Sequence, residues 1–147
     1  MTAAEGDRSA SLLLDTHTLL WMVEYHPRLG PETAKALNRA AREDRIAVSA
    51  ITPWEIALLV SKKRIDLHRD PLEWLNAVLL LPGVHLVPLE PEIAVASTRL
   101  PFEMHPDPAD RIIVATARHQ GATLVTADTA LLRLAKNRYF KALNAAD

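Results

Sequence analysis

Asp107-Pro108-Ala109-Asp110-Arg111-Ile112-Ile113-Val114-Ala115-Thr116-Ala117 opens a stretch that continues past Gly121 into Ala122-Thr123-Leu124-Val125-Thr126-Ala127-Asp128. Its first residues read as a helix start. Asp107 is placed to cap, and Pro108 fills the first helical position, where a missing N–H is no loss. Gly121 reads as the left-handed stop of that helix. The unbroken apolar run behind it reads as a strand covered on both faces. A helix, a stop, a strand and then an acid make one unit of an α/β fold.

The same grammar extends outward. Leu12-Leu13-Leu14, Ile46-Ala47-Val48-Ser49 and Val84-His85-Leu86-Val87-Pro88-Leu89 read as further buried strands, and Tyr139-Phe140-Lys141-Ala142-Leu143 as a short fifth. Helices are expected from Gly30-Pro31, with Ala34, Leu37 and Ala41 on one face, from Thr52-Pro53 to about Lys63, from Asp70-Pro71 to about Leu81, and from Pro91 to about Leu100. Alternating strands and helices imply right-handed crossovers, hence a parallel β-sheet flanked by helices in an α/β fold. Helices crowd between the second and third strands, so one helical pair is expected to project from the core.

Composition bounds the rest. The 147 residues are 49% hydrophobic and 24% charged, which rules out wholesale disorder. One domain is expected over 12–147, preceded by a polar tail at 1–11 that lacks the apolar stretch of a signal peptide. The most apolar region, Trp74 to Leu89, is broken by Pro82 and Pro88 and is too short to span a membrane. A cytoplasmic protein is the expectation. Seventeen basic and 18 acidic residues leave a net charge of −1, which excludes a polycation but not a local basic face. With no cysteine, disulfides, thiolate catalysis and Cys-based zinc sites drop out, and the six histidines form no metal-binding pair.

In parallel sheets ligands bind beyond the carboxyl ends of the strands. Asp15 directly follows the first strand, Glu55 lies in the first turn after the second, Asp110 in the first turn of the Asp107 helix, and Asp128 just after the fourth strand. The topology brings all four to one sheet edge. At about 5 Å and an effective dielectric near 20, each carboxylate pair repels by roughly 3 kcal/mol. Such a cluster must be protonated, spread apart or neutralised by a cation. Hard divalent ions, Mg²⁺ or Mn²⁺, suit all-oxygen ligands and can activate water toward a phosphodiester. Each acid also has a plainer reading. Thr52-x-x-Glu55 fits a capping box, Asp15 and Asp128 fit N-caps, and Asp110 fits a favourable charge at a helix start. Asp107 is read as a cap alone.

The strings Leu12-Leu13-Leu14-Asp15-Thr16-His17, Ser49-Ala50-Ile51-Thr52-Pro53-Trp54-Glu55-Ile56, Asp107 to Ala117, and Leu124-Val125-Thr126-Ala127-Asp128 resemble, in this order, the PIN domain, most closely the VapC-type toxins of toxin–antitoxin pairs. The resemblance runs from Leu12 to about Leu143. It implies a PIN-like three-layer α/β/α fold and a metal-dependent RNA endonuclease. Asp15, Glu55, Asp110 and Asp128 match the acidic quartet. Asp15 and Asp110 would be the principal metal ligands, assisted by Asp128, with Glu55 orienting water or helping to hold the metal. Thr126 matches the hydroxyl residue that supports the last acid. The resemblance also implies a homodimer and a cognate antitoxin protein. A groove for the antitoxin is expected at Trp54, Leu58, Leu59 and Trp74, set against core packing for at least two of them.

Other assignments follow from residue type. Lys62-Lys63-Arg64 and Arg133, Lys136, Arg138 and Lys141 are candidates to track an RNA backbone, or are solvated faces. Arg111 is read as a phosphate ligand or a local partner for an acid. His17 and His105 are read as residues near the site or, in preference, as surface or packing residues. Two rivals remain in other classes. One is a PIN-like module that binds RNA or protein without cutting. The other is an aspartyl-phosphate phosphatase or receiver-like domain, for which Asp15-Thr16-His17-Thr18 lacks the second acid.

Overall fold

A computed structural model describes residues 10–147. Strands β1 (Leu12–Leu14), β2 (Ile46–Ser49), β3 (Val84–Val87), β4 (Thr123–Thr126) and β5 (Lys141–Asn144) form one sheet in the order β3-β2-β1-β4-β5. Every neighbouring pair is parallel, with Leu14 flanked by Val48 and Val125. The described residues hold seven helices: α1 (Thr16–Glu24), α2 (Pro31–Arg42), α3 (Ile51–Ser61), α4 (Pro71–Leu79), α5 (Pro91–Ser97), α6 (Pro108–Gln120) and α7 (Thr129–Ala135).

Strand side chains alternate between faces, and two apolar clusters result. Leu14, Ile46, Val48 and Val125 pack with Leu19 and Leu20 of α1, Leu37 of α2, Ile56 of α3 and Trp74 of α4. Leu13, Ala47 and Leu124 pack with Ile113 and Val114 of α6 and Leu131 of α7. Helices therefore cover both faces, giving the expected three layers. Each fully buried Leu or Ile contributes roughly 1.5–3 kcal/mol to holding them together.

Most boundaries follow their local signals. Asp70 accepts from the amides of Leu72 and Glu73, Asp107 from that of Asp110, and Asp128 from those of Ala130 and Leu131. Gly121 ends α6 at φ 61°, where a Cβ is strained. Other features depart from the sequence reading. Helix α1 begins immediately after Asp15, whose carboxylate caps it, although Thr16 and Thr18 weaken its helical signal. Helix α5 stops at Ser97 instead of Leu100, ahead of Pro101. The Thr52–Glu55 capping box does not form: α3 starts one residue earlier, at Ile51, whose amide is taken by the Ser49 hydroxyl. The helical pair α3–α4 does not project, because Ile56, Trp74, Leu75 and Val78 are in the core. Strand β3 is not covered on both faces, since it is a sheet edge and leaves His85 and Leu86 exposed.

The N-terminal tail lies outside the described residues apart from Ala10 and Ser11. The carbonyl of Ala10 accepts from Arg45, and that of Ser11 from the amide of Thr123. No helix among the described residues is long and apolar enough to cross a membrane.

The strand order fixes the functional edge. From β1 the chain moves outward through β2 to β3, then crosses back to β4 and β5 on the other side. The two directions diverge between β1 and β4, and a crevice opens there beyond the strands' carboxyl ends. Asp15 leaves β1 and Asp128 follows β4 on either side of it.

Candidate active site

Asp15 is 9% exposed, and each of its carboxylate oxygens accepts a hydrogen bond. Its Oδ1 accepts from the Thr18 amide at 2.9 Å. Its Oδ2 accepts from the Thr126 hydroxyl at 2.5 Å. That hydroxyl also accepts from the amide of Asp128 at 3.0 Å. One threonine side chain thus links the acid after β1 to the turn that carries the acid after β4. Each Asp15 oxygen keeps a further lone pair for another partner.

Asp110 is the hub of the remaining acids. One ligand atom from each of Glu55, Asp107 and Asp110 lies within 4.8 Å of the others. The same holds for His105, Asp110 and Asp128. Nε2 of His105 stands 3.3 Å from Oδ2 of Asp110. Burial, followed by the charges of Asp107 and Glu55, pushes the Asp110 carboxyl up to about 7; Asp128 adds to the rise and His105 opposes it. Glu55 is steadied from α1: the Thr16 hydroxyl donates to its Oε1, and the Thr52 hydroxyl lies 3.5 Å from that of Thr16.

The acids expected at one edge are therefore brought together around Asp110, except that Asp15 belongs to neither three-residue group and joins Asp128 through Thr126. Asp107 is a cap, as expected, and is also a member of the cluster. His105 is exposed, as the surface reading expects, and it also lies at the site, facing Asp110. Its signal was its position two residues before Asp107, at the mouth of α6. Arg111 pairs with no acid among the described residues. Its Nε donates to the Ser97 carbonyl at 3.0 Å, and its Nη1 lies 3.5 Å from that of Met104. It thereby anchors the segment that delivers His105. His17 is exposed.

The proposed apolar groove divides. Trp74 is 7% exposed and belongs to the core, whereas Trp54 is 52% exposed; Leu58 and Leu59 are half-buried. Arg133, Lys136, Arg138 and Lys141 line an open groove of about 1300 Å³ between α7 and β5, which also takes in Arg118 and reaches Thr129 beside Asp128. None of these five cations forms an ion pair among the described residues. Lys62, Lys63 and Arg64 are exposed at the far end of α3.

An arrangement of this kind, a buried carboxylate held at a switch point and a ring of acids with excess negative charge, is suited to a divalent cation. Ribonuclease VapC22 of Mycobacterium tuberculosis is 37% identical over 121 residues, 82% of this chain and 89% of that protein. The fold matches VapBC2 from Rickettsia felis, solved bound to a DNA fragment from its promoter, with a TM-score of 0.66 at 18% identity, covering 90% of this chain and 97% of that one. It also matches FitAcB from Neisseria gonorrhoeae, with a TM-score of 0.62 at 24% identity over 91% and 97% of the two chains. Residues 12–137 match the PIN domain. The chain belongs to the PIN-domain family.

Proposed function

We propose that this protein is a divalent-metal-dependent RNA endonuclease and the toxin of a toxin–antitoxin pair. The observation that carries the reading is the crowding of Glu55, Asp107 and Asp128 about Asp110, which leaves its carboxyl near 7 without a cation. Three acids gathered about the Asp110 carboxylate repel it, and a divalent ion converts that repulsion into binding. The donor chemistry fits Mg²⁺ or Mn²⁺. Asp15, Asp110 and Asp128 would hold the ion, which when bound polarises a phosphate and lowers the pKa of water.

The chain's own groups supply the rest. Thr126 orients Asp15 and fixes the turn of Asp128. Glu55, locked by Thr16, is available to orient a water. The cations of the α7–β5 groove supply a path for an RNA backbone leading to Asp128.

The partners follow the relatives, among which VapBC2 and a toxin–antitoxin complex from Klebsiella pneumoniae are solved structures. A cognate antitoxin and a second copy of the chain would cover the apolar surface now exposed at Trp54, Leu72, Leu80 and Leu86. The test is cleavage of a mixed RNA pool by purified protein, with Mg²⁺ or Mn²⁺ against EDTA, and wild type against Asp15→Asn. Metal-dependent cutting that disappears in the variant is expected. Binding of neither metal nor RNA would return the acids to helix capping.

A further inference from the structure

His105 is brought to the acids by a segment built to hold it. It lies between α5 and α6, where Pro101 and Pro106 restrict the backbone. Phe102 and Met104 pack against the Leu13–Ile113 cluster on the sheet. Arg111 of α6 reaches back to the carbonyls of Ser97 and Met104. The residue next to this anchor turns its imidazole toward the crevice. Nε2 is 3.3 Å from Oδ2 of Asp110, and a nitrogen of the ring lies within 4.8 Å of a carboxylate oxygen of both Asp110 and Asp128. Those three side chains come from three separate elements: the α5–α6 segment, α6 and the β4–α7 turn.

An imidazole facing one acid is ordinarily a simple ion pair. Here it converges with a second acid on one point, and its side chain is 38% exposed, so an ion can enter without unpacking the core. Neutral imidazole binds the first-row transition ions, Mn²⁺ the most weakly of them, better than it binds Mg²⁺, which favours oxygen. We propose that His105 ligates the metal together with Asp110 and Asp128, making this a mixed nitrogen–oxygen site that prefers Mn²⁺ over Mg²⁺. The proposal rests on the metal-dependent reading above and adds a nitrogen donor and an ion preference to it.

The test uses the full chain and Mn²⁺ alone. Mn²⁺ binding is followed by the loss of the free-ion EPR signal, and the bound ion is examined by electron spin-echo envelope modulation. Wild type is expected to show ¹⁴N modulation from a directly bound imidazole. His105→Ala should lose it and bind Mn²⁺ at least about tenfold more weakly, with a smaller change for Mg²⁺ measured by competition. His105→Asp restores an oxygen ligand, so it should recover Mn²⁺ binding without ¹⁴N modulation and with the preference over Mg²⁺ reduced. His119→Ala, at the other end of α6, should behave as wild type. Bound Mn²⁺ without ¹⁴N modulation in the wild type would overturn the role of His105 and leave the carboxylate site standing. Failure of the wild type to bind Mn²⁺ at all would overturn both.

Discussion

The hydroxyl of Thr126 bridges two acids: it donates to Oδ2 of Asp15 at 2.5 Å and accepts from the amide of Asp128 at 3.0 Å. A buried hydroxyl in this position sets the orientation of one carboxylate and the turn that carries another. Thr126→Val keeps the shape and removes both bonds. It should destabilise the protein by about 1–3 kcal/mol, because a buried oxygen and an amide lose their partner. Cleavage should fall with it. Thr126→Ser should retain most of both. Urea midpoints and single-turnover cleavage of the three proteins check this; a Val variant as active as wild type would show that Asp15 needs no such support.

Asp110 gives a pH dependence of defined sign. Its carboxyl sits at about 7 in the folded protein, above the ordinary 3.8. Between those values the native state binds more protons than the unfolded one. The associated stability is fully present below about pH 4 and is lost as pH rises through about 7. In EDTA, Asp110→Asn should match wild type near pH 4 and exceed it by about 1–3 kcal/mol at pH 8, allowing for partial exposure. Urea unfolding at the two pH values measures the gap. A gap that does not widen with pH contradicts the crowding around Asp110.

Asp107 has two duties that one substitution can separate. Asparagine caps a helix about as well as aspartate but carries no charge. Asp107→Asn should therefore keep the stability within about 0.5 kcal/mol, whereas Asp107→Ala loses about 1 kcal/mol. Both should lower the pKa of Asp110, since Asp107 is the largest charge raising it. Carboxyl titration by NMR reads that shift directly.

Much of this was legible before any coordinates. The helix from Asp107 to Gly121, the apolar strand behind it and the acid at its end were written in capping and periodicity, which are local. What escaped was set by distant partners. Helix α1 is absent from the sequence reading, its Thr residues being poor helix formers; Thr18 is held by its hydroxyl bond to the Val125 carbonyl of β4. The Thr52–Glu55 box was a sound local pattern, but Thr16 took Glu55 for the site instead. His105 and Arg111 carry no periodic signal at all. Their roles depend on where the α5–α6 segment lands.

The α7–β5 groove predicts a salt-dependent RNA affinity. In an Asp110→Asn background, so that nothing is cut, Lys136→Gln with Lys141→Gln should weaken binding to single-stranded RNA several-fold. The slope of log K against log salt should fall by about 1.4, roughly 0.7 for each lost phosphate contact. An unchanged slope would place the RNA elsewhere.

The two tryptophans of the α3–α4 pair should part company. Trp74→Ala removes a core side chain and should cost about 3–5 kcal/mol. Trp54→Ala should change the monomer's stability by no more than about 0.5 kcal/mol, and should act on partner binding instead. Chemical denaturation and a pull-down with the antitoxin separate the two.

The placement of β1 between β2 and β4 has a consequence in time. A ribosome making this chain releases Asp15 well before the Val125 strand and the Thr126 hydroxyl that orient it, the latter 111 residues further on. No fragment that stops before Asp128 contains the crevice, whatever helices it has already formed. For a protein that we propose destroys RNA, the messenger being translated is thus spared by its own product at least until Asp128 has been made.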